Sequence, residues 1–314
     1  MLACFSLIIG FIVIISASNL LVDASSSLAI KFNLPKSLIA LTIVAFGTCA
    51  PELAISFNSI SSGNGDLALA NVIGSCIINI VLVIGIAAIF RPIRVKSETI
   101  KKELPMLLNV TLAFCAIMLI AFTRQSQVVT RASGFILLLM FSVFVYYIYK
   151  IVKNKSNHGS HAEPIYDMKT SIIIIVITLF LIVISSDLIV NNAVIIASNL
   201  GISEKIITMF VIVIGTSLPE LVMTVTSAKK GVFDFALGNI IGTNIFNICI
   251  VLGLPIFIFG DIQIMDFNVV DIIVVIISVL ILYLFAKNDR KLSRKEGIIM
   301  FLIFVVYYAY ILMV

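Results

Sequence analysis

The chain has 314 residues, of which 61% are hydrophobic and only 12% charged, and its mean hydropathy is +1.22. A soluble domain carries about 25% charged residues, so the composition excludes an ordinary soluble domain and indicates an integral membrane protein. The net charge of +5 is accounted for by the loops described below and requires no nucleic-acid partner.

Ten apolar segments follow one another along the chain. A helix needs about 20 apolar residues to cross a bilayer, whereas a barrel strand needs only about ten of alternating character. We therefore predict an all-α integral membrane protein. No positive charge precedes the first segment, which favours a retained helix over a secretory signal. The predicted transmembrane helices are 2–22, 37–60, 67–90, 104–122, 129–149, 170–198, 205–228, 235–259, 268–286 and 297–313.

The second predicted helix contains GTCAPEL, residues 47–53, and therefore a carboxylate in an apolar run. An ionised Glu52 at this depth is costly, and the central helices carry no Lys or Arg away from their ends to pair with it. We expect the counter-charge to be a cation from solution or a proton. Thr48 lies four residues before Glu52, on the same helix face, and Ser75 and Asn79 have the same spacing in the third helix.

A hydrophilic linker, 153–169, follows the fifth helix and divides the chain into two halves, 1–152 and 170–314. With the N-terminus outside, 18 of the 21 Lys and Arg residues fall in cytoplasmic loops. This distribution predicts that both termini face outward and that the linker is cytoplasmic.

The second half repeats the first at an offset of 168 residues. GTSLPEL, residues 215–221, aligns without a gap on residues 47–53, and Thr243 and Asn247 align on Ser75 and Asn79. Because each half has five crossings, the second half enters the membrane from the opposite side. The sequence thus predicts two inverted five-helix repeats, an architecture typical of secondary transporters with a site at the midplane.

Proline and glycine predict that the core helices of both halves are discontinuous. Pro51 and Pro219 lack an amide donor, so they free the carbonyls of Gly47 and Gly215. Broken backbone is tolerated in a membrane where it lines a cavity. We therefore expect these four residues to act as hinges or to supply carbonyl ligands.

The two sets of oxygens should converge about the pseudo-twofold axis. Hydroxyl, amide and carboxylate oxygens suit Ca²⁺ or Na⁺, and nothing in the pattern resembles the His and Cys ligands of zinc or copper. We expect the metal ion to contact Glu52, Glu220, Thr48 and Thr216.

The motifs GTCAPEL with ANVIGSCIIN, and GTSLPEL with GNIIGTNIFN, resemble the two alpha repeats of the sodium/calcium exchanger family, in the calcium/cation antiporter superfamily. The resemblance covers essentially the whole chain. It implies alternating access, in which the first and sixth helices slide as a gate over the core helices, and exchange of Na⁺ for Ca²⁺ across the cell membrane. It also implies no cofactor besides the transported ions. The ion ligands that it implies are Glu52, Glu220, Thr48, Ser75, Asn79, Thr216, Ser217, Thr243 and Asn247.

The sequence departs from the family pattern at two positions. Cys49 stands where the second half has Ser217, so one hydroxyl is missing, and Asn247 stands where some members carry an aspartate. The first departure bears on a Na⁺ subsite and hence on the stoichiometry, and the second bears on proton sensitivity.

Three other functions were weighed against Na⁺/Ca²⁺ exchange. A proton/Ca²⁺ antiporter would use the same glutamates, since a buried Glu also accepts a proton. A channel is disfavoured by the discontinuous inverted repeats. A membrane zinc protease is disfavoured because the sequence contains no HExxH motif. We therefore expect a transporter and not an enzyme, in contact with membrane lipid. The sequence leaves the oligomeric state, K⁺ dependence and physiological cargo open.

Overall fold

The computed structural model describes residues 2–123, 127–153, 163–200, 213–264 and 268–313. These ranges form helices and four two-residue strands. The helices are α1 Leu2–Lys31, α2 Lys36–Thr48, α3 Ala50–Ser61, α4 Gly65–Phe90, α5 Thr99–Thr123, α6 Arg131–Lys153, α7 Met168–Asn199, α8 Val213–Thr216, α9 Leu218–Lys230, α10 Phe233–Phe259, α11 Val269–Asp289 and α12 Arg294–Met313. The strands are β1 Ile93–Arg94, β2 Val128–Val129, β3 Ile262–Gln263 and β4 Lys291–Leu292.

The all-helical membrane architecture predicted from the sequence is confirmed. Within the described residues, eight helices are long and apolar enough to cross a bilayer, and the bent pair α2–α3 makes a ninth candidate. The seventh predicted helix, 205–228, lies partly outside the described residues, and its described part belongs to α8 and α9. The linker residues 154–162 also lie outside them, so the division into 1–152, 153–169 and 170–314 stays a prediction.

Helix α1 is nine residues longer than predicted, since it ends at Lys31 and not at residue 22. The polar residues beyond position 22 are buried: Ser25 and Ser27 are at most 1% exposed. Ser27 Oγ donates to the Asp23 carbonyl 2.9 Å away, within the same helix. The helix therefore continues through this polar stretch because its serines are buried against other parts of the protein.

Two short antiparallel ladders show how the halves are oriented. β1 pairs with β4, and β2 pairs with β3. Because β1 precedes α5 and β2 follows it, the ladders lie at opposite ends of α5, on what we call the β1–β4 face and the β2–β3 face. Helix α11 runs from β3 to β4, and therefore opposite to its repeat counterpart α5. The two repeats are thus inverted, as predicted.

The core helices are broken at equivalent positions. The axes of α2 and α3 differ by 47°, and the residue between them, Cys49, has φ −80° and ψ 1°. In the second half Ser217 separates α8 from α9 with φ −91° and ψ 7°. Each break precedes a proline by two residues, because proline cannot continue the hydrogen bonding of the preceding turn.

Helices α4 and α10 form the centre of the molecule, and most residues of each are buried. Gly242 on α10 allows α2 to approach closely, since a Cβ at this position would lie 2.5 Å from the Leu41 carbonyl oxygen. Both central helices contain a π-helical turn, at Ile78–Ile84 and at Asn247–Leu252. Such turns occur often at functional sites, and these two are repeat counterparts.

Candidate ion-binding site

Two glutamates begin the second parts of the broken helices. Glu52 lies in the first turn of α3 and Glu220 in the first turn of α9, where the helix dipole favours a negative charge. Each residue is 1% exposed. Neither carboxylate forms an ion pair with Lys or Arg in the part of the chain that the structure describes.

Each glutamate-bearing helix packs against a π-helical turn of the other half. Helix α3 contacts Asn247–Leu252, and α9 contacts Ile78–Ile84. Asn79 and Asn247, both at most 1% exposed, lie in these turns. The inverted repeat therefore brings each predicted amide to the carboxylate helix of the opposite half.

The predicted hydroxyls lie in the same region with one difference among them. Thr48 is fully buried beside the Glu220 carboxylate, and its hydroxyl donates to the Ala45 carbonyl 3.2 Å away. Ser75, Ser217 and Thr243 are at most 2% exposed. Thr216, at the end of α8, is only half-buried.

Most polar atoms of this cluster lack a hydrogen-bond partner in the part of the chain that the structure describes, although buried polar groups in proteins are normally satisfied. The atoms without a partner are Glu52 Oε2, both carboxylate oxygens of Glu220, Ser75 Oγ, Ser217 Oγ, Thr243 Oγ1, Asn79 Oδ1, and Oδ1 and Nδ2 of Asn247. A hard cation with several oxygen ligands would satisfy the oxygens. No group of three or more His, Cys, Asp or Glu residues is placed to hold a metal ion within the described ranges.

Asn244 takes part in this cluster, although the sequence analysis did not single it out. It is 1% exposed on α10. Asn79 Nδ2 donates to Asn244 Oδ1 over 3.0 Å, and Asn244 Nδ2 donates to the Cys76 carbonyl over 3.1 Å. These bonds turn the amide nitrogen of Asn79 away and leave its oxygen free for an ion. The contact joins the halves, so local spacing could not reveal it.

A further signal was present in the sequence but was not used. Asn71 and Asn239 precede Ser75 and Thr243 by four residues, so each extends a polar helix face by one turn. Asn239 is fully buried, and neither its Oδ1 nor its Nδ2 has a partner. Ser56 and Thr224 likewise lie one turn beyond the glutamates, buried and without a partner for their hydroxyls.

The predicted hinge glycines contact the long helix α7. A Cβ on Gly47 would lie 2.7 Å from Leu179 Cδ1, and a Cβ on Gly215 would overlap Val190 Cγ2. The Gly215 carbonyl, which Pro219 frees, accepts a hydrogen bond from Ser186 Oγ at 3.0 Å. The broken segments are thus closely packed against a helix outside the core.

Comparisons with known proteins agree with this architecture. A family model described as "Sodium/calcium exchanger protein" matches residues 2–150 and 170–313. The chain is 35% identical to "Putative antiporter CaxA" of Alkalimonas amylolytica, with 98% of each chain covered. It is 28% identical to "Sodium/calcium exchanger MaX1" of Methanosarcina acetivorans, with 96% of each covered.

A solved structure of similar fold is that of a sodium/calcium exchanger from Methanococcus jannaschii. It superposes with a TM-score of 0.83 and 30% sequence identity, and the match covers 98% of each chain. The similarity extends over both halves.

Proposed function

The chain belongs to the sodium/calcium exchanger protein family, a family of multi-pass membrane transporters, and from this premise we propose how it exchanges Na⁺ for Ca²⁺. The observation that carries the proposal is the buried cluster around Glu52 and Glu220, in which oxygens of both halves lack hydrogen-bond partners among the described residues. We assign ion binding to this cluster.

Glu52 and Glu220 are the two charged ligands, shared between Ca²⁺ and Na⁺. Neutral oxygens come from the side chains of Thr48, Ser75, Asn79, Thr216, Ser217, Thr243 and Asn247. The breaks before Pro51 and Pro219 act as hinges and free the carbonyls of Gly47 and Gly215, of which the Gly215 carbonyl accepts a hydrogen bond from Ser186 Oγ. Two carboxylates balance the charge of one Ca²⁺ or of two Na⁺, so both loaded forms are neutral at the carboxylates. An empty site leaves two bare charges in an apolar barrier, which is costly.

This difference in charge provides the coupling. Alternating access requires that the site open to one side of the membrane and then to the other, and a bare pair of carboxylates opposes that step. Because Ca²⁺ or Na⁺ removes the opposition, the loaded forms change sides and the empty form does not. A ligand shifts such an equilibrium by its differential affinity for the states, so strict exchange follows from the charge of the site.

The membrane orientation follows from the basic residues. Lys and Arg residues concentrate in the loops of the β1–β4 face, so this face is cytoplasmic and both termini are outside. In a bacterial or archaeal cell, or at a plasma membrane, the linker 153–169 then lies in the cytoplasm. The two halves, 1–152 and 170–314, act as the inverted units of alternating access.

One observation favours a second candidate, the exchange of protons for Ca²⁺ at the same glutamates. Cys49 is fully buried and places a thiol where the second half has the hydroxyl of Ser217. A thiol is a poor ligand for a hard cation such as Na⁺. Protonation of Glu52 and Glu220 would not need that ligand.

Radioactive Ca²⁺ uptake into proteoliposomes tests these proposals directly. Vesicles are loaded with Na⁺, with K⁺, or with choline, and a fourth set carries only an outward proton gradient. We expect uptake in the Na⁺-loaded vesicles alone. Uptake driven by the proton gradient alone would support the second candidate, and equal uptake in every set would mean a passive pathway and contradict exchange.

A further inference from the structure

The hydrogen bond from Ser186 ties helix α7 to the break between α8 and α9. Ser186 is 5% exposed, and its hydroxyl donates to the Gly215 carbonyl at 3.0 Å. The backbone donor that would normally bond this carbonyl is missing, because residue 219 is proline. The Ser186 hydroxyl on α7 therefore takes the place of the missing backbone donor at the Gly215 carbonyl, next to the ion-binding cluster.

The corresponding bond is absent from the first half. The offset of 168 residues places Ser186 on Ser18 and Gly215 on Gly47. Ser18 is fully buried on α1, yet its hydroxyl has no hydrogen-bond partner among the described residues. A buried hydroxyl without a partner is unfavourable, so Ser18 is poised to bond in a different arrangement of α1.

The halves also differ in how much of the glutamate-bearing helices, α3 and α9, is buried. Four of the twelve side chains of α3 are buried, against seven of the thirteen of α9. Helix α1 packs along α9, and Lys230 at the end of α9 pairs with Asp23 and donates to the Asn19 carbonyl on α1. Helix α7 makes no comparable contact with α3 in the ranges that the structure describes. The path toward the β1–β4 face is therefore the more closed one.

We propose that Ser186 and Ser18 are a reciprocal pair of positioning residues that couple the movement of α7 and α1 to the ion-binding cluster. The two halves are related by a pseudo-twofold axis in the membrane plane, so by symmetry an exchange of their conformations gives a state that faces the opposite side. Ser186 therefore holds the Gly215 carbonyl in the present state. In the opposite-facing state, Ser186 releases it and Ser18 holds the Gly47 carbonyl. This inference rests on the alternating access proposed above.

Hydrogen exchange measured by mass spectrometry tests the proposal on the full chain in lipid nanodiscs with saturating Na⁺ and without Ca²⁺, so that the site is loaded and able to change sides. The readout is the ratio of exchange in α3 to exchange in α9. Ser186→Ala removes a bond of the present state, so exchange should rise in α9 and fall in α3, with the ratio changing about two- to tenfold. Ser18→Ala, added to Ser186→Ala, removes the bond of the opposite state and should return the ratio toward that of the unsubstituted protein.

Ser185→Ala is the matched control. Ser185 neighbours Ser186 and is equally buried, but its hydroxyl bonds only the Leu181 and Ile182 carbonyls of its own helix. It should leave the ratio unchanged. An equal effect of Ser185→Ala and Ser186→Ala, or a failure of Ser18→Ala to reverse the change, would overturn the pairing. Na⁺-dependent Ca²⁺ uptake by the unsubstituted protein reports separately on the proposed function, so the two failures can be told apart.

Discussion

Asn79 and Asn247 occupy equivalent places in the two halves, but of these two amides Asn79 alone has a hydrogen-bond partner among the described residues. Asn244 fixes its amide, whereas the repeat counterpart of Asn244 is Cys76, which cannot orient an amide in the same way. Both atoms of the Asn247 amide consequently lack partners. The duplicated site is therefore symmetric in its carboxylates and asymmetric in the residues that position its amides.

The comparison separates two kinds of difference between the halves. Two of the differences are differences in residue type: Asn244 corresponds to Cys76, and Ser217 corresponds to Cys49. These differences persist in every conformation. The hydrogen bond of Ser186, which Ser18 lacks, involves the same residue type on both sides, so conformation alone explains it. Only the first kind can give the two halves permanently different roles in ion binding.

The symmetric part of the site gives the largest expected effect. Glu52→Gln and Glu220→Gln keep the shape of the side chain and remove one of the two charges that balance Ca²⁺. Loss of an outer partner of a metal ligand costs 10- to 100-fold, so loss of a direct charged ligand should lower Ca²⁺ uptake by about 100-fold or more. Uptake into Na⁺-loaded proteoliposomes measures it for both variants.

A third buried glutamate provides the control. Glu103 on α5 is 4% exposed and lies outside the ion-binding cluster, where the Tyr147 hydroxyl is 3.4 Å from its Oε1. Glu103→Gln should retain uptake. Normal uptake by either Glu52→Gln or Glu220→Gln would break the equivalence of the halves and remove the charge-balance argument.

The next effect tests the asymmetry of the amides. Asn244→Ala removes the group that orients Asn79. Because Asn244 acts on a ligand and is not itself one, the substitution should raise the Ca²⁺ concentration for half-maximal uptake about 10- to 100-fold. Cys76→Ala, at the repeat-equivalent position, leaves Asn247 as it is and should change half-saturation far less. Ca²⁺-dependent uptake by the two purified variants measures the difference. Similar losses in both would mean that Asn244 acts through packing and not through Asn79.

The sequence predicted the parts of this structure that depend on local pattern. The breaks at Cys49 and Ser217 could be placed because proline acts on the turn before it. The glutamates stood out because a charge is costly in an apolar helix. The contact between Asn79 and Asn244 was not predictable in this way, since it joins residues 165 apart in sequence and depends on how the inverted halves pack. The full length of α1 was missed because its buried serines resemble a loop when only hydropathy is considered.

The smallest effect concerns the other permanent difference, Cys49 against Ser217. Cys49→Ser gives the first half the hydroxyl that the second already has. Cys49 Sγ lies 3.9 Å from the Thr243 carbonyl oxygen, so the change adds a hard oxygen within the ion-binding cluster. One additional polar contact is worth about 0.5–1.5 kcal/mol. We therefore expect the Na⁺ concentration for half-maximal transport to fall about two- to tenfold. The corresponding Ca²⁺ concentration should change less, because the glutamates dominate binding of the divalent ion. Cys115→Ser, at a buried cysteine of α5, controls for the general effect of a buried hydroxyl. Unchanged Na⁺ dependence would place position 49 outside the Na⁺ ligands, and the asymmetry of the site would then reside in Asn244 and Cys76.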